Sequence, residues 1–212
     1  MLKDKKVVIT SGGTIEEIDS VRYISNYSSG KMGLALANCA NMMGAQTVLI
    51  TTKDFETPYK NIKVKSALDM QKAVNDEYDN ADIIIMAAAV ADFPAKNIST
   101  QKIKKTESDT MILELVKNPD ILKELVEKRK NSDNKPVIVG FCAETNDLIQ
   151  NAKEKIQKKG CDYLIANDVS RKDIGFNSDD NEVLILDKNG VLKQIPKTSK
   201  SQIAKEILCS LI

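Results

Sequence analysis

The stretch Asp82-Ile83-Ile84-Ile85-Met86-Ala87-Ala88-Ala89-Val90 is apolar after its first residue and shows no alternation. A strand with one solvated face alternates polar and apolar side chains, so an unbroken run predicts a strand covered by helices on both faces. Outward from it, short apolar runs recur at 6–10, 46–52, 62–66, 111–117, 136–142, 162–166, 182–187 and 191–195. Helical stretches fall between them, at 31–43, 67–77, 119–130, 146–159 and 198–211. Alternating β and α units predict a parallel sheet with right-handed crossovers.

The predicted fold is therefore α/β: a doubly wound, Rossmann-like, mostly parallel sheet with a C-terminal β-hairpin extension. Local punctuation supports it. Asn118-Pro119-Asp120 offers an N-cap, a proline at the first helical position and an early carboxylate. Ser199 with Gln202 fits a capping box. Asp187-Lys188-Asn189-Gly190 reads as a hairpin turn with positive φ at Asn189 and Gly190. With no repeat, low-complexity stretch or linker, residues 1–212 read as a single domain.

Composition narrows the chemistry. Net charge is +1, from 31 basic and 30 acidic residues, which argues against a nucleic-acid grip. No apolar run approaches the ~18 residues of a membrane span. Four cysteines without C-x-x-C spacing, and the lack of a signal-peptide core, predict a reduced cytoplasmic protein. Histidine is absent. That removes the usual general base and the commonest zinc ligand, and no metal-ligating cluster is predicted.

In such a sheet, ligands bind beyond the carboxyl ends of the strands. The first strand leads through Ser11-Gly12-Gly13-Thr14 to Arg22-Tyr23-Ile24-Ser25-Asn26-Tyr27-Ser28-Ser29-Gly30-Lys31-Met32-Gly33 and a helix start. Free N–H groups at a helix's first turn attract anions, yet neither G-x-G-x-x-G nor G-x-x-x-x-G-K-[ST] is matched. Tyr27 and Lys31 satisfy Tyr-x-x-x-Lys, but in a loop that Gly30 interrupts, not on a helix. The alanines 87–89 either let a flat ring approach the backbone or pack under a helix, with Asp92 placed for a ribose hydroxyl or a metal-bound water. Phe141 either stacks on a base or belongs to the core. Cys142 has no histidine with which to form a nucleophilic dyad. Lys155 and Lys159 share a helix face, suiting a triphosphate or simple solvation. The segment 94–110, with Lys102, Lys104 and Lys105, is either a closing flap or a solvated loop, and 167–181 is a polar loop.

Seven blocks occur in order: 10–14, 21–33, Ala88-Ala89-Val90-Ala91-Asp92-Phe93, Lys102-Ile103-Lys104-Lys105, Lys117-Asn118-Pro119-Asp120-Ile121, 140–145 and Ala166-Asn167-Asp168-Val169-Ser170. Together they resemble phosphopantothenate–cysteine ligase, the synthetase half of the bacterial bifunctional flavoprotein of coenzyme A biosynthesis. The chain begins at the first synthetase strand, so the resemblance is to a stand-alone, CTP-dependent bacterial type, with a separate decarboxylase in the pathway, or else to an excised synthetase domain. The resemblance implies a ligase, unrelated to the ATP-grasp enzymes, that joins 4′-phosphopantothenate to L-cysteine. It would proceed through an acyl-cytidylate formed from CTP, with release of pyrophosphate and with Mg²⁺ accompanying the CTP. By matching motif, Asn26, Arg22 and Lys102 would be catalytic. Met86, Ala87, Ala88, Asp92, Lys102, Pro119, Asp120, Ile121, Leu122, Phe141, Lys155 and Lys159 would contact CTP. A homodimer with a shared site is implied, with 167–181 near the partner copy. Gly13 and Cys142 depart from the family pattern, where proline and alanine are common. Two other readings remain: an NAD(P)-binding oxidoreductase, for which Thr51-Thr52-Lys53-Asp54 would supply an acid after the second strand, and a non-catalytic nucleotide-binding module.

Overall fold

A computed structural model describes residues 2–104, 110–169 and 178–211. Lys105 and residues 170–177, in the two polar loops singled out above, lie outside the described residues.

The buried run becomes the strand Ile83–Met86, and its environment explains the missing alternation. Ile83 and Ile85 face one core with Val7, Ile9, Leu36, Ile203 and Ile207. Ile84 and Met86 face the other, with Val8, Met70, Tyr78, Leu125 and Ile138. Each face is closed by helices, so every position on the strand is an interior one.

In chain order the elements are β1 (Lys6–Ser11), β2 (Ile15–Glu17), β3 (Tyr23–Ser25), α1 (Lys31–Met42), β4 (Gln46–Thr51), β5 (Lys60–Lys63), α2 (Ala67–Tyr78) and β6 (Ile83–Met86). There follow α3 (Ile121–Lys130), β7 (Val137–Glu144), α4 (Leu148–Lys159), β8 (Tyr163–Asp168), β9 (Asp180–Asp187), β10 (Gly190–Ser199) and α5 (Lys200–Ser210). The main sheet runs β10-β9-β8-β7-β6-β1-β4-β5. β1 pairs in parallel with both β4 and β6, so the winding reverses beside it. β9 and β10 add antiparallel strands at one edge, as the turn sequence predicts.

Several expectations are corrected. Residues 111–117 are not a sheet strand. They run extended and exposed, bridged at Leu115 to Ala95, with Lys96 N donating to Glu114 O and Val116 N to Pro94 O. β6 and β7 are direct neighbours, which leaves no gap in the sheet for a strand from this segment. The pair β2–β3 was not anticipated. Its turn is made by Asp19, whose carboxylate accepts from the Val21 and Arg22 N–H groups at 2.9 Å each. α3 is capped by Asp120, not Asn118: Asp120 Oδ1 accepts from Lys123 N. Asn118 is engaged elsewhere, donating from Nδ2 to Ala91 O at 2.8 Å and from its backbone to Asp92 O. β5 ends before the predicted 66 because Ser66 forms a reciprocal capping box with Asp69. At the hairpin only Gly190 has positive φ, and the Asp187 carboxylate holds the turn through Asn189 N and Gly190 N. Ser199 caps α5 through Gln202 N, but the Gln202 side chain donates to Glu206, so only half of the predicted box forms.

Candidate active site

The reversal of winding beside β1 opens space at the carboxyl ends of β1 and β6. The loop after β6 is fastened there to the loop after β1. Ala88 N donates to Thr10 Oγ1 and Ala91 N to Thr14 Oγ1, while Ala89 N donates to Gly12 O and Ala89 O accepts from Thr14 N. These bonds fix backbone groups of the small-residue segment at the mouth of the site. Gly12 holds φ +85, and a Cβ there would lie 2.2 Å from Thr52 Oγ1, so glycine is required for the turn.

Two clefts meet at this mouth, with Ala88, Val90, Asp92, Phe141 and Lys155 common to both. The first, about 450 Å³, is floored by residues 26–33 and walled by Ala87–Val90, Cys142, Asn167 and Asn181. The second, about 440 Å³, lies between the β6 loop and the start of α3. Of the residues matched above to a nucleotide, all but Ala87 and Lys102 line the second cleft; Ala87 lines the first. Asn26 lines the first cleft and donates from Nδ2 to Val90 O at 3.0 Å.

Arg22 and Lys102 line neither cleft. Arg22 is turned onto Asp19, which is buried, and it also donates from Nη2 to Ile103 O at 2.9 Å. The Arg22 guanidinium, with the N–H groups of Val21, Ile103 and Arg22, holds the Asp19 carboxyl well below the usual carboxylate range, against the opposing effect of burial. Ile103 N closes this knot on Asp19 Oδ2 at 3.1 Å, so the exposed Lys102 sits one residue from a fixed point.

Lys155 and Lys159 share the face predicted, but each already has a carboxylate. Lys155 Nζ lies 3.0 Å from Glu144 Oε1, and Lys159 pairs with Asp120. Phe141 is half-buried and lines both clefts. Cys142 lines the first, but burial pushes its thiol up to about 11, leaving it a poor nucleophile at neutral pH. Tyr27 is exposed in the loop and Lys31 pairs with Asp179, so the Tyr-x-x-x-Lys pair is not assembled. Asp54 pairs with Lys63 and lines neither cleft, leaving the oxidoreductase reading without its ribose-binding acid.

Sequence reasoning missed Lys200. It opens α5, is only 6% exposed, and lines the first cleft beside Asn181. The cap at Ser199 places it at a helix start, but only the tertiary fold brings that start to the cleft. Among the described residues no group of three or more His, Cys, Asp or Glu side chains forms a metal site. No described helix is long and apolar enough to cross a membrane.

The family model described as "DNA/pantothenate metabolism flavoprotein C-terminal domain" matches residues 2–212. A protein named coenzyme A biosynthesis bifunctional protein CoaBC from Bacillus subtilis is 44% identical over 98% of this chain and 51% of its own length. Namesakes from Borreliella burgdorferi and Escherichia coli are 43% and 39% identical, over 98% and 100% of this chain and 52% of their own lengths. The chain thus spans about half the length of the curated relatives it matches. Among solved structures, the C-terminal domain of a CoaBC protein superposes with a TM-score of 0.80 at 33% identity, covering 99% of this chain and 94% of that one. A Cab2 mutant in complex with phosphopantothenate-cysteine shares the fold, with a TM-score of 0.77 at 18% identity over 98% of this chain and 86% of its own.

Proposed function

We propose, from the premise that this chain belongs to the DNA/pantothenate metabolism flavoprotein C-terminal domain family, that it joins 4′-phosphopantothenate to L-cysteine at the expense of CTP. The observation that carries this reading is the convergence of the nucleotide-matched residues on one cleft that opens into a second at Asp92 and Phe141. Two adjoining clefts suit a reaction that brings a nucleotide and a separate acid together.

The chemistry asks little of general bases. A carboxylate oxygen attacks the α-phosphorus of CTP, the bond to the β-phosphate oxygen breaks, and pyrophosphate leaves. The cysteine amine then attacks the acyl carbon, expels CMP and gives up a proton. Both steps call for alignment and charge stabilisation, which fixed backbone groups, amides and lysines supply. In this reading the pyrimidine lies on Phe141 between the β6 loop and α3, with its edge open to backbone groups. Lys155 and Lys159 exchange Glu144 and Asp120 for phosphate oxygens. Asn26 presents its amide to the activated carboxyl.

The donor set fits Mg²⁺ arriving with the nucleotide: Asp92 lies on the lip common to both clefts, and magnesium takes one or two carboxylates plus phosphate oxygens. When bound, the ion would offset charge on the phosphates. Arg22 and Lys102 act from the Asp19 knot, Arg22 toward the anionic acid and Lys102 toward conversion of the intermediate.

The direct test supplies purified protein with CTP, phosphopantothenate and cysteine, and with ATP in place of CTP. Pyrophosphate release that requires phosphopantothenate is expected; none with either nucleotide would sink the reading. In the same assay Lys102→Gln should let acyl-cytidylate accumulate relative to product. A parallel fall of both assigns Lys102 to the first step instead.

Two copies are proposed to pair through the exposed apolar arm. Met111, Ile112, Leu113, Leu115 and Val116 are exposed, Ile112 by 93%, and Val21 and Tyr23 on the β2–β3 hairpin are exposed as well. A run of exposed apolar side chains of this kind suits an interface. Light scattering should give twice the chain mass, reduced to one by Ile112→Asp; a monomer at the outset overturns the pairing.

A further inference from the structure

Four elements converge on the part of the first cleft that the second does not share. Lys31 comes from α1, Asn167 from β8, Asn181 from the start of β9 and Lys200 from α5. Asp179 ties the corner together. Its carboxylate receives Lys31 Nζ at 2.6 Å and its carbonyl receives Lys200 N at 3.0 Å. Lys200 Nζ donates to Ser178 O, and Asn181 Nδ2 to Asn167 Oδ1 at 3.3 Å.

The two lysines differ in kind. The Lys31–Asp179 pair is exposed on both sides, and such pairs contribute little and exchange readily. An arriving oxyanion can therefore take Lys31 from Asp179 at small cost. Lys200 is buried, held by a rigid helix start, and little screened by solvent. Burial, and then the charge of Lys31, lower its pKa, with Asp179 opposing. An added anion relieves both effects. A buried lysine in a cleft wall, beside a second and exposed lysine, suits an anionic ligand, because charge-assisted contacts are the strong ones.

We propose that Lys200, acting with Lys31, binds a phosphoryl group of a substrate in this corner of the first cleft. The ligand class is a phosphoryl oxyanion, and it rests on the ligase reading only for its source. The nucleotide's polyphosphate and the phosphate of the pantothenate donor share that chemistry. Lys200 is thus a binding residue at the site, complementary to Lys155, which lines both clefts, and to Lys159 on the second.

Calorimetric titration without cysteine tests this directly. The probes are inorganic pyrophosphate, CTP against CMP, and phosphopantothenate against pantothenate. Lys200→Met should weaken at least one phosphorylated probe about tenfold or more, the loss of one charge-assisted contact, while Lys200→Arg retains most of the affinity. A loss for CTP but not CMP assigns the corner to the polyphosphate. A loss for phosphopantothenate but not pantothenate assigns it to the acid. Unchanged affinities in a Lys200→Met protein that melts normally would overturn the proposal and leave the ammonium as a tether to Ser178. If that variant fails to fold, Lys31→Met at the exposed position decides instead, and unchanged affinities there overturn it equally. An unaltered chain that binds none of the probes also overturns it. An unaltered chain that binds them and makes no pyrophosphate sinks the ligase reading but leaves the Lys200 result standing.

Discussion

An Asn26→Asp variant should lose roughly 10²–10³-fold in turnover, the range found when a single oriented donor is removed from a charge-stabilising site. The substitution is nearly isosteric and the residue is exposed, so its effect is chemical rather than volumetric. Asn26 Nδ2 spends one hydrogen on Val90 O at 3.0 Å and keeps a second for a ligand in the first cleft. A carboxylate in its place has no hydrogen to donate. It also sets a negative charge against the Val90 carbonyl and against the anionic groups of CTP and phosphopantothenate. The melting point should stay close to that of the parent, because exposed substitutions usually fall within about ±0.5 kcal/mol. Lowering the pH toward the ordinary carboxylate range, roughly 4, protonates the aspartate and should recover part of the loss. An Asn26→Asp enzyme of full activity at neutral pH would remove Asn26 from the chemistry.

The sheet was legible because burial on two faces leaves a direct mark: Ile83 to Met86 cannot alternate when helices cover both sides. The second cleft was legible for a different reason. Most of its lining comes from two short stretches, 86–93 and 117–122, whose order along the chain carries the resemblance. What escaped were features made by distant pairings. Nothing local in 111–117 separates a sheet strand from an extended arm; the adjacency of β6 and β7 decides it. Asn118 resembles a cap until Ala91 and Asp92 arrive to claim it. Arg22 reads as an unengaged cation until Asp19 and Ile103 fold around it. Lys200 follows the same logic in reverse, an ordinary helix-start lysine that tertiary contact turns into part of a cleft wall.

Gly33 links this architecture to the site, and Gly33→Ala should damage both. The residue lies in the first turn of α1, where a Cβ would stand 2.6 Å from Ser11 Cβ and 2.8 Å from Thr10 O. Those atoms belong to the end of β1, whose strand pairs on both sides, so they cannot move aside as a flexible side-chain tip would. The same turn is held down by Ser11 Oγ, which donates to Gly30 O at 2.8 Å. Alanine favours helix over glycine by about 1 kcal/mol, yet overpacking a rigid contact costs about 1–3 kcal/mol. The net loss is then up to about 2 kcal/mol, which corresponds to a melting point lower by up to roughly 8 °C in a domain of this size. The larger consequence is positional. Relief of the clash lifts the start of α1, which carries Lys31 and the floor of the first cleft, away from the β6 loop. Affinity for phosphorylated substrates should therefore fall about tenfold or more, beyond what the small change in stability explains. Gly140→Ala gives the contrast: its Cβ would meet the side-chain ends of Leu122 and Leu164, which can rotate, so the strand should tolerate it better. If Gly33→Ala instead raises the melting point and binds as the parent does, helix propensity has won, and the tight seating of α1 on β1 is not what positions the site.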